Sequence, residues 1–250
     1  MIAADLALAL DAVRLAERAG LVPDAWQAQV LRSTAPRQLL NASRQSGKST
    51  VVAALAVHTA VYERDSLTLL LSPSLRQSQE LFKKCLAVYR TLDQPVPPEA
   101  ESALRLELAN GSRIVSLPGT EGTIRGYSGV RLLAVDEASR VADPLYYAIR
   151  PMLAVSGGRL VALSTPFGTR GWWYEAWRSA ETWERYEVPA TTCPRIPAAF
   201  LAEERASMGE WWYEQEYCCR FMDAQDAVFR ADDITAAFSP DVLPLWGRAS

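Results

Sequence analysis

The chain is 250 residues long, 49% hydrophobic and 22% charged. These are the proportions of a globular protein long enough to bury a core, which excludes a disordered, collagen-like or disulfide-stapled class. Its 26 Lys and Arg stand against 29 Asp and Glu, a net charge of −3, so no global basic field draws it to nucleic acid and any such contact must come from a local patch.

His58 is the only histidine, which removes His-based triads and His-rich metal sites. Arginine supplies nearly all the positive charge, the lysines being Lys48, Lys83 and Lys84; a lysine inside a motif is therefore more informative than an arginine. Cys85, Cys193, Cys218 and Cys219 form no CxxC pair and read as reduced thiols of a cytosolic protein without structural zinc. The most apolar run, residues 51–61, includes His58 and Thr59 and falls short of the roughly 20 residues a membrane span requires.

Leu6, Leu10, Val13 and Ala16 recur at helical spacing up to Gly20, which predicts one amphipathic N-terminal helix. Asp5, Asp11 and the lack of a basic leader argue against a signal peptide. Pro23-Asp24 opens a second helix with Trp26, Gln27 and Val30. From Gln38 short apolar runs alternate with helical stretches: QLLNAS and a helix after Lys48, LTLLLSPS and a helix over 76–91, RLLAVDEA and a helix near Leu145, RLVALSTP and then WWYEAW. That alternation predicts an α/β fold whose mostly parallel sheet is covered by helices on both faces.

One insertion breaks the alternation. Residues 103–108 and 112–117 flank Asn110-Gly111, a dipeptide that favours a two-residue primed turn, so an antiparallel hairpin is expected. After Pro189 the pattern turns helical, over 197–208 and 209–218, with a tail over 221–238. The expected division is a core with the N-terminal helices over 1–190 and a small C-terminal subdomain with the tail over 191–250. GWWYEAW and EWWYEQEY look alike, but their flanks do not; they read as two aromatic helix starts whose tryptophans pack rather than stack bases. Arg76, Lys83, Lys84 and Arg90, with Glu80 among them, read as a solvated helix face rather than a DNA track.

The strongest motif is Ser43-Arg44-Gln45-Ser46-Gly47-Lys48-Ser49-Thr50, after an apolar strand and before a helix. In that context backbone N–H groups wrap phosphates, the helix N-terminus faces their charge, the lysine reaches the β- and γ-phosphates and Ser49 holds Mg²⁺. Ala42 stands where GxxxxGK[ST] has its first glycine, so the loop is a variant. The second motif ends an apolar strand in Asp136-Glu137, at the sheet edge where α/β ligands bind; Asp136 is suited to the magnesium and Glu137 to the attacking water. Gln27, about 20 residues upstream of the loop, has an amide able both to donate to and to accept from an adenine edge. Ser164-Thr165-Pro166 ends the next strand, where a small polar group can sense the γ-phosphate. Arg125 stands in the glycine-flanked stretch GTIRG ahead of the acidic strand.

The ordered set WQ, SRQSGKS, LLLSPSLRQSQELF, IRG before LLAVDEA, and STP followed by GWWYEAW resembles, over residues 23–229, the ATPase motor domain of the large terminase subunit of tailed bacteriophages. In that family Ala at the loop's first position is ordinary. The resemblance implies a RecA/ASCE-type P-loop NTPase with a small helical lid over 212–221, using ATP and Mg²⁺. It implies Gln27 on the adenine side, Ser43 to Thr50 as the phosphate loop with Arg44 as its basic position, Ser49 and Asp136 at the metal and Glu137 at the water. Ser164, Thr165 and Pro166 would form the coupling motif, and Arg125 the finger offered to a neighbour's site.

The activity implied is ATP-driven translocation of double-stranded viral DNA into a procapsid. The chain would act as a homo-oligomeric ring, monomeric in isolation, with the portal protein and small terminase subunit as partners, in the host cytoplasm at the portal vertex and away from membranes. Large terminases usually continue into a metal-dependent nuclease. About 20 residues follow Phe229 here, with Asp232, Asp233 and Asp241 but no strand set, so no DNA cleavage is expected; either the chain is truncated or the nuclease lies elsewhere. Two other readings share the motifs: a second-superfamily helicase, which needs another RecA-like half, and a nucleotide-gated assembly switch with negligible turnover.

Overall fold

A computed structural model describes residues 2–119, 124, 126–223 and 237. The apolar runs become strands of one eight-stranded sheet: β1 (Arg37–Ala42), β2 (Leu67–Ser72), β3 (Pro98–Glu101), β4 (Arg105–Leu108), β5 (Arg113–Pro118), β6 (Val130–Asp136), β7 (Arg159–Ser164) and β8 (Glu184–Val188). Their order is β3-β4-β5-β2-β6-β7-β1-β8. β1, β2, β5, β6, β7 and β8 run parallel, and β3 and β4 extend the β5 edge antiparallel. The helices are α1 (Ile2–Leu10), α2 (Ala12–Arg18), α3 (Ala25–Arg32), α4 (Lys48–Tyr62), α5 (Leu75–Thr91), α6 (Asp143–Ile149), α7 (Gly171–Arg178), α8 (Ala198–Met208) and α9 (Glu210–Glu216). Among the described residues no helix is long and apolar enough to cross a membrane.

The central strands β1, β2, β6 and β7 read as largely hydrophobic runs because both faces are covered. Leu40, Leu70, Leu132 and Val161 pack on one side with α2 to α5, while Leu39, Leu69, Leu133 and Leu160 pack on the other with Ile149, Trp172 and Trp173. Alternate residues thus feed two cores, as the period of two in a strand requires. The tryptophans of GWWYEAW are core, Trp172 lying flat on Tyr146 at 3.9 Å between ring centroids, and the two aromatic blocks open α7 and α9.

Three local expectations need correction. The N-terminal segment is two helices, not one: Asp11 is extended (φ −140°), its carboxylate accepts the Val13 N–H at 3.0 Å as the cap of α2, and it pairs with Arg32 at 2.8 Å. A residue that satisfies a helix start costs less outside the helix than within it, and Leu6 and Leu10 are left exposed while Val13 and Ala16 are buried. The β4–β5 hairpin exists, but its loop has three residues. Only Gly111 has positive φ (+80°), and the Gly111 N–H donates to Leu108 O at 2.9 Å, a type I turn closed by a left-handed residue rather than a primed turn. Finally, β3 and β8 were not anticipated, because every β3 residue is exposed and β8 (ERYEV) is only partly buried; edge strands carry no apolar alternation to read.

Asn110 explains the turn. Its Nδ2 donates to Ala60 O at 2.9 Å and Val61 O at 3.1 Å, the last-turn carbonyls of α4, while its Oδ1 accepts from Ser112 N at 3.1 Å. One side chain therefore satisfies a helix end and the hairpin together. Asn110→Ala is expected to destabilise the fold by about 1–2 kcal/mol, lowering the thermal midpoint by roughly 2–8 °C for a domain of this size; an unchanged melt would show that water replaces all three bonds.

Candidate active site

The parallel strands deliver four segments to one edge. The loop after β1 wraps from Ser43 to the start of α4. Ser43 N–H donates to Val188 O of β8 at 3.0 Å, and the Ser46 hydroxyl to Ser43 O at 2.8 Å. Gln45 (φ +60°) and Gly47 (φ +91°) turn the backbone into the left-handed region, and a Cβ on Gly47 would stand 2.7 Å from Gln27 Nε2, so glycine is demanded by both conformation and space. Lys48 opens α4 with its side chain almost wholly buried, and its Nζ lies 3.8 Å from Glu137 Oε1.

Asp136 ends β6 and Glu137 follows at φ +49°, ψ +45°, a strained position for a side chain that carries a Cβ. Burial, and next the charge of Glu137, raise the Asp136 carboxyl to about 6. Its Oδ1 is buried without a hydrogen-bond partner, and its Oδ2 lies 3.5 Å from Ser49 Oγ. A hydroxyl and an orphaned carboxylate oxygen are hard donors that fit Mg²⁺ with its water shell. Among the described residues no cluster of three or more His, Cys, Asp and Glu could hold a metal alone, so such an ion would come with phosphate oxygens.

Ser164, the last residue of β7, shares a 2.7 Å hydroxyl contact with Ser139 in the 3₁₀ turn after Glu137. Thr165 lines a cavity of about 520 Å³ together with Arg44, Lys48, Ser49, Thr50 and Glu137; Pro166 is buried beside it. The same cavity is lined by Gln77 and Lys84 of α5 and by Arg140; the sequence assigned no role to Gln77 or Arg140. Arg76, Lys83, Lys84 and Arg90 are all exposed, as expected of a solvated helix face, and Lys84 lines the cavity as well. Arg125 lies outside the described residues, as do Asp232, Asp233 and Asp241.

A second cavity, of about 430 Å³, opens on the other side of the loop, walled by apolar Leu21, Val22 and Val51 and by Gln27, Gly47 and Arg195. The Gln27 side chain is held at both ends: Oε1 accepts the Asp24 N–H at 2.9 Å, and Nε2 donates to Ser46 O at 3.3 Å. Arg195 also donates to Ser46 O, at 2.8 Å, and pairs with Asp24 at 2.7 Å. Nothing in the sequence marked Arg195 among so many arginines.

The C-terminal helices reach the loop directly. Arg44 N–H donates to Glu216 O at 3.2 Å, and Arg44 Nε meets Glu216 Oε2 at 2.5 Å. Ala190, Leu201, Tyr213 and Tyr217 form a small apolar cluster of their own.

A phosphate-type loop on one strand, an Asp-Glu pair on another and an intervening strand ending in a polar residue define a P-loop NTPase fold of the RecA-like kind. The comparisons narrow this class. Residues 39–236 match the family described as terminase large subunit, T4likevirus-type, N-terminal, and the chain belongs to that family. It is 26% identical over 258 residues to large terminase subunits of Thermus phage G20c and Thermus virus P23-45, covering 87% of this chain and 52% of each relative; the chain spans about half their length. The large terminase ATPase domain of Thermus phage P74-26 superposes with a TM-score of 0.73 at 22% identity, over 83% of this chain and 97% of that one. The large terminase of a thermophilic bacteriophage, in complex with ADP, superposes at 0.65 and 11% identity, over 80% of this chain and 54% of that one.

The Arg44–Glu216 pair is asymmetric: the carboxylate is 7% exposed and the guanidinium 59%. Arg44→Ala strands a buried charge, whereas Glu216→Gln leaves a neutral acceptor beside a cation that water can solvate. Solvent screening of Arg44 keeps the first cost to about 1–2 kcal/mol. Thermal unfolding should rank Arg44→Ala below Glu216→Gln, and the reverse ranking would contradict this account.

Proposed function

We propose that this chain is an ATP-hydrolysing motor domain that drives double-stranded viral DNA into a procapsid. The observation that carries the reading is the meeting of Lys48, Ser49 and Glu137 in one cavity of about 520 Å³, with Asp136 reaching Ser49 at its wall, in a chain of the large-terminase family. Lys48 and the N–H groups at the start of α4 hold the β- and γ-phosphates. Glu137 orients the attacking water and takes its proton as the Pγ–O bond to the leaving ADP breaks. Mg²⁺, held through Ser49 and Asp136, neutralises phosphate charge when bound.

The apolar cavity beside Gln27 takes the base. Arg44 adds charge at the loop and ties it to the small C-terminal subdomain, whose residues 212–221 form a lid over the nucleotide, with the tail completing 191–250. Ser164, Thr165 and Pro166 couple loss of the γ-phosphate to movement, and Arg125 completes the site of a neighbouring subunit in a homo-oligomeric ring. The ring would engage the portal protein and the small terminase subunit in the host cytoplasm, away from membranes, with no DNA cleavage from these residues. The family membership leaves neither the helicase nor the assembly-switch reading with an observation in its favour.

Lys48→Ala should abolish turnover and weaken ATP binding severely, while Glu137→Gln should still bind ATP but hydrolyse it at least about 100-fold more slowly. Retained hydrolysis in Lys48→Ala would overturn the proposal. For Arg125, mixing is decisive: Arg125→Ala subunits keep an intact loop and Lys48→Ala subunits an intact arginine, so mixed assemblies should regain activity that neither variant has alone. Assembly without recovery would show that Arg125 does not act between subunits.

A further inference from the structure

The proposed phosphate cavity holds four cationic side chains. Arg44 is engaged by Glu216, and Lys48 lies against Glu137. Lys84 approaches from α5 and Arg140 from the 3₁₀ turn Ala138–Arg140, three residues past Glu137. Arg140 is anchored in two ways. Its N–H donates to Glu137 O at 2.9 Å, so its backbone moves with the proposed water-orienting residue. Its guanidinium carbon stands 4.2 Å from the centre of the Phe167 ring, on the segment that continues Ser164-Thr165-Pro166. The Ser139–Ser164 contact at 2.7 Å ties the same two segments a residue earlier. Among the described residues no carboxylate lies within 4 Å of Arg140 to claim its charge.

A guanidinium stacked by its face on an aromatic ring keeps its in-plane N–H donors at the edge, the geometry that matches a phosphate's oxygens in pairs. Phe167 therefore holds the Arg140 guanidinium over its ring without taking a hydrogen bond from it. We propose that Arg140 is a γ-phosphate-binding residue supplied by the chain's own subunit, distinct from any arginine offered by a neighbour, and that Phe167 is its positioning residue. The inference rests on the ATPase reading and deepens it. The group that recognises the third phosphate would be carried on one segment and braced by the next, so loss of that phosphate would be felt first at Phe167 and the Ser164–Pro166 stretch behind it.

The test is equilibrium binding of ATPγS and of ADP, each with Mg²⁺, to the purified 250-residue chain and to its Arg140→Ala, Arg140→Lys, Phe167→Leu and Lys48→Ala variants. Arg140 and Phe167 are both exposed, so these changes leave the core intact. Arg140→Ala should weaken ATPγS by about tenfold or more, the scale of losing a charge-assisted bond, with ADP unchanged within about twofold. Arg140→Lys should recover part of the loss, and Phe167→Leu should show a smaller loss of the same kind, again confined to ATPγS. An unaltered ratio of ATPγS to ADP affinity in Arg140→Ala, or equal weakening of both, would overturn the inference. The two readings separate cleanly: a wild-type chain that binds neither nucleotide overturns the ATPase reading itself, whereas loss of binding in Lys48→Ala with the ratio intact in Arg140→Ala overturns only the role of Arg140.

Discussion

Two carboxylates and one buried ammonium meet at the ends of the strands, and the rest of the site follows from how that arrangement is held. Lys48 and Asp136 are nearly buried and Glu137 is partly so, while the further cations of the cavity, Arg44, Lys84 and Arg140, are exposed. Burial lifts the Asp136 carboxyl to about 6, the expected response of an acid with one neutral hydroxyl near it and a like charge next door. Such a charge pattern is costly unless something outweighs the desolvation, and a polyanion with a divalent cation complements it. The strained backbone of Glu137 belongs to the same balance: relaxing it would swing the carboxylate away from Lys48.

What keeps these groups at the right separation is the order of the sheet. β7 lies between β1 and β6, so the loop that carries Lys48 and the turn that carries Glu137 are two strand spacings apart, roughly 10 Å, and both side chains lean across the end of β7 to meet. Ser164 sits at that end and touches Ser139 beneath the junction. Any signal that moves the Glu137 turn is thereby felt at the terminus of β7 first. The buried faces of β1, β6 and β7 leave the strands themselves little freedom, which confines movement to the loops at the edge.

The elements that were legible in the sequence are those whose burial leaves a periodic trace. β1, β2, β6 and β7 announce themselves because both faces are covered, and the phosphate loop because Gly47-Lys48-Ser49 stands between an apolar strand and a helix. β3 and β8 left no trace, since β3 is exposed throughout and β8 buries only Val188 fully, too little to set an apolar alternation. The break at Asp11 was hidden by helical spacing that continues through it, and the hairpin loop by a dipeptide compatible with two turn types, the choice falling to the end of α4 that Asn110 caps. Arg140 and Arg195 could not be read for another reason: on a chain whose positive charge is mostly arginine, that residue type says nothing, and only the folding of the turn after β6 and the segment after β8 toward one loop selects them.

The Ser46 carbonyl shows how the two cavities become one device. Gln27 Nε2 and Arg195 Nη2 both donate to it, and the same residue's hydroxyl closes the loop onto Ser43. Gln27 and Arg195 also share Asp24, one through the N–H at the start of α3 and one through the carboxylate. The wall of the apolar cavity is thus bolted to the backbone that would cradle phosphate, by donors arriving from α3 and from the segment after β8. Displacing either donor changes the loop as well as the cavity, because a carbonyl with two partners responds to the loss of one. A ligand that presses on Gln27 or Arg195 therefore acts on the phosphate loop without touching it, and the segment carrying Arg195 leads into α8 and α9, where Glu216 takes hold of Arg44 from the other side. The apolar cavity, the loop and the C-terminal helices form a closed ring of contacts, so that movement of one is passed to the others.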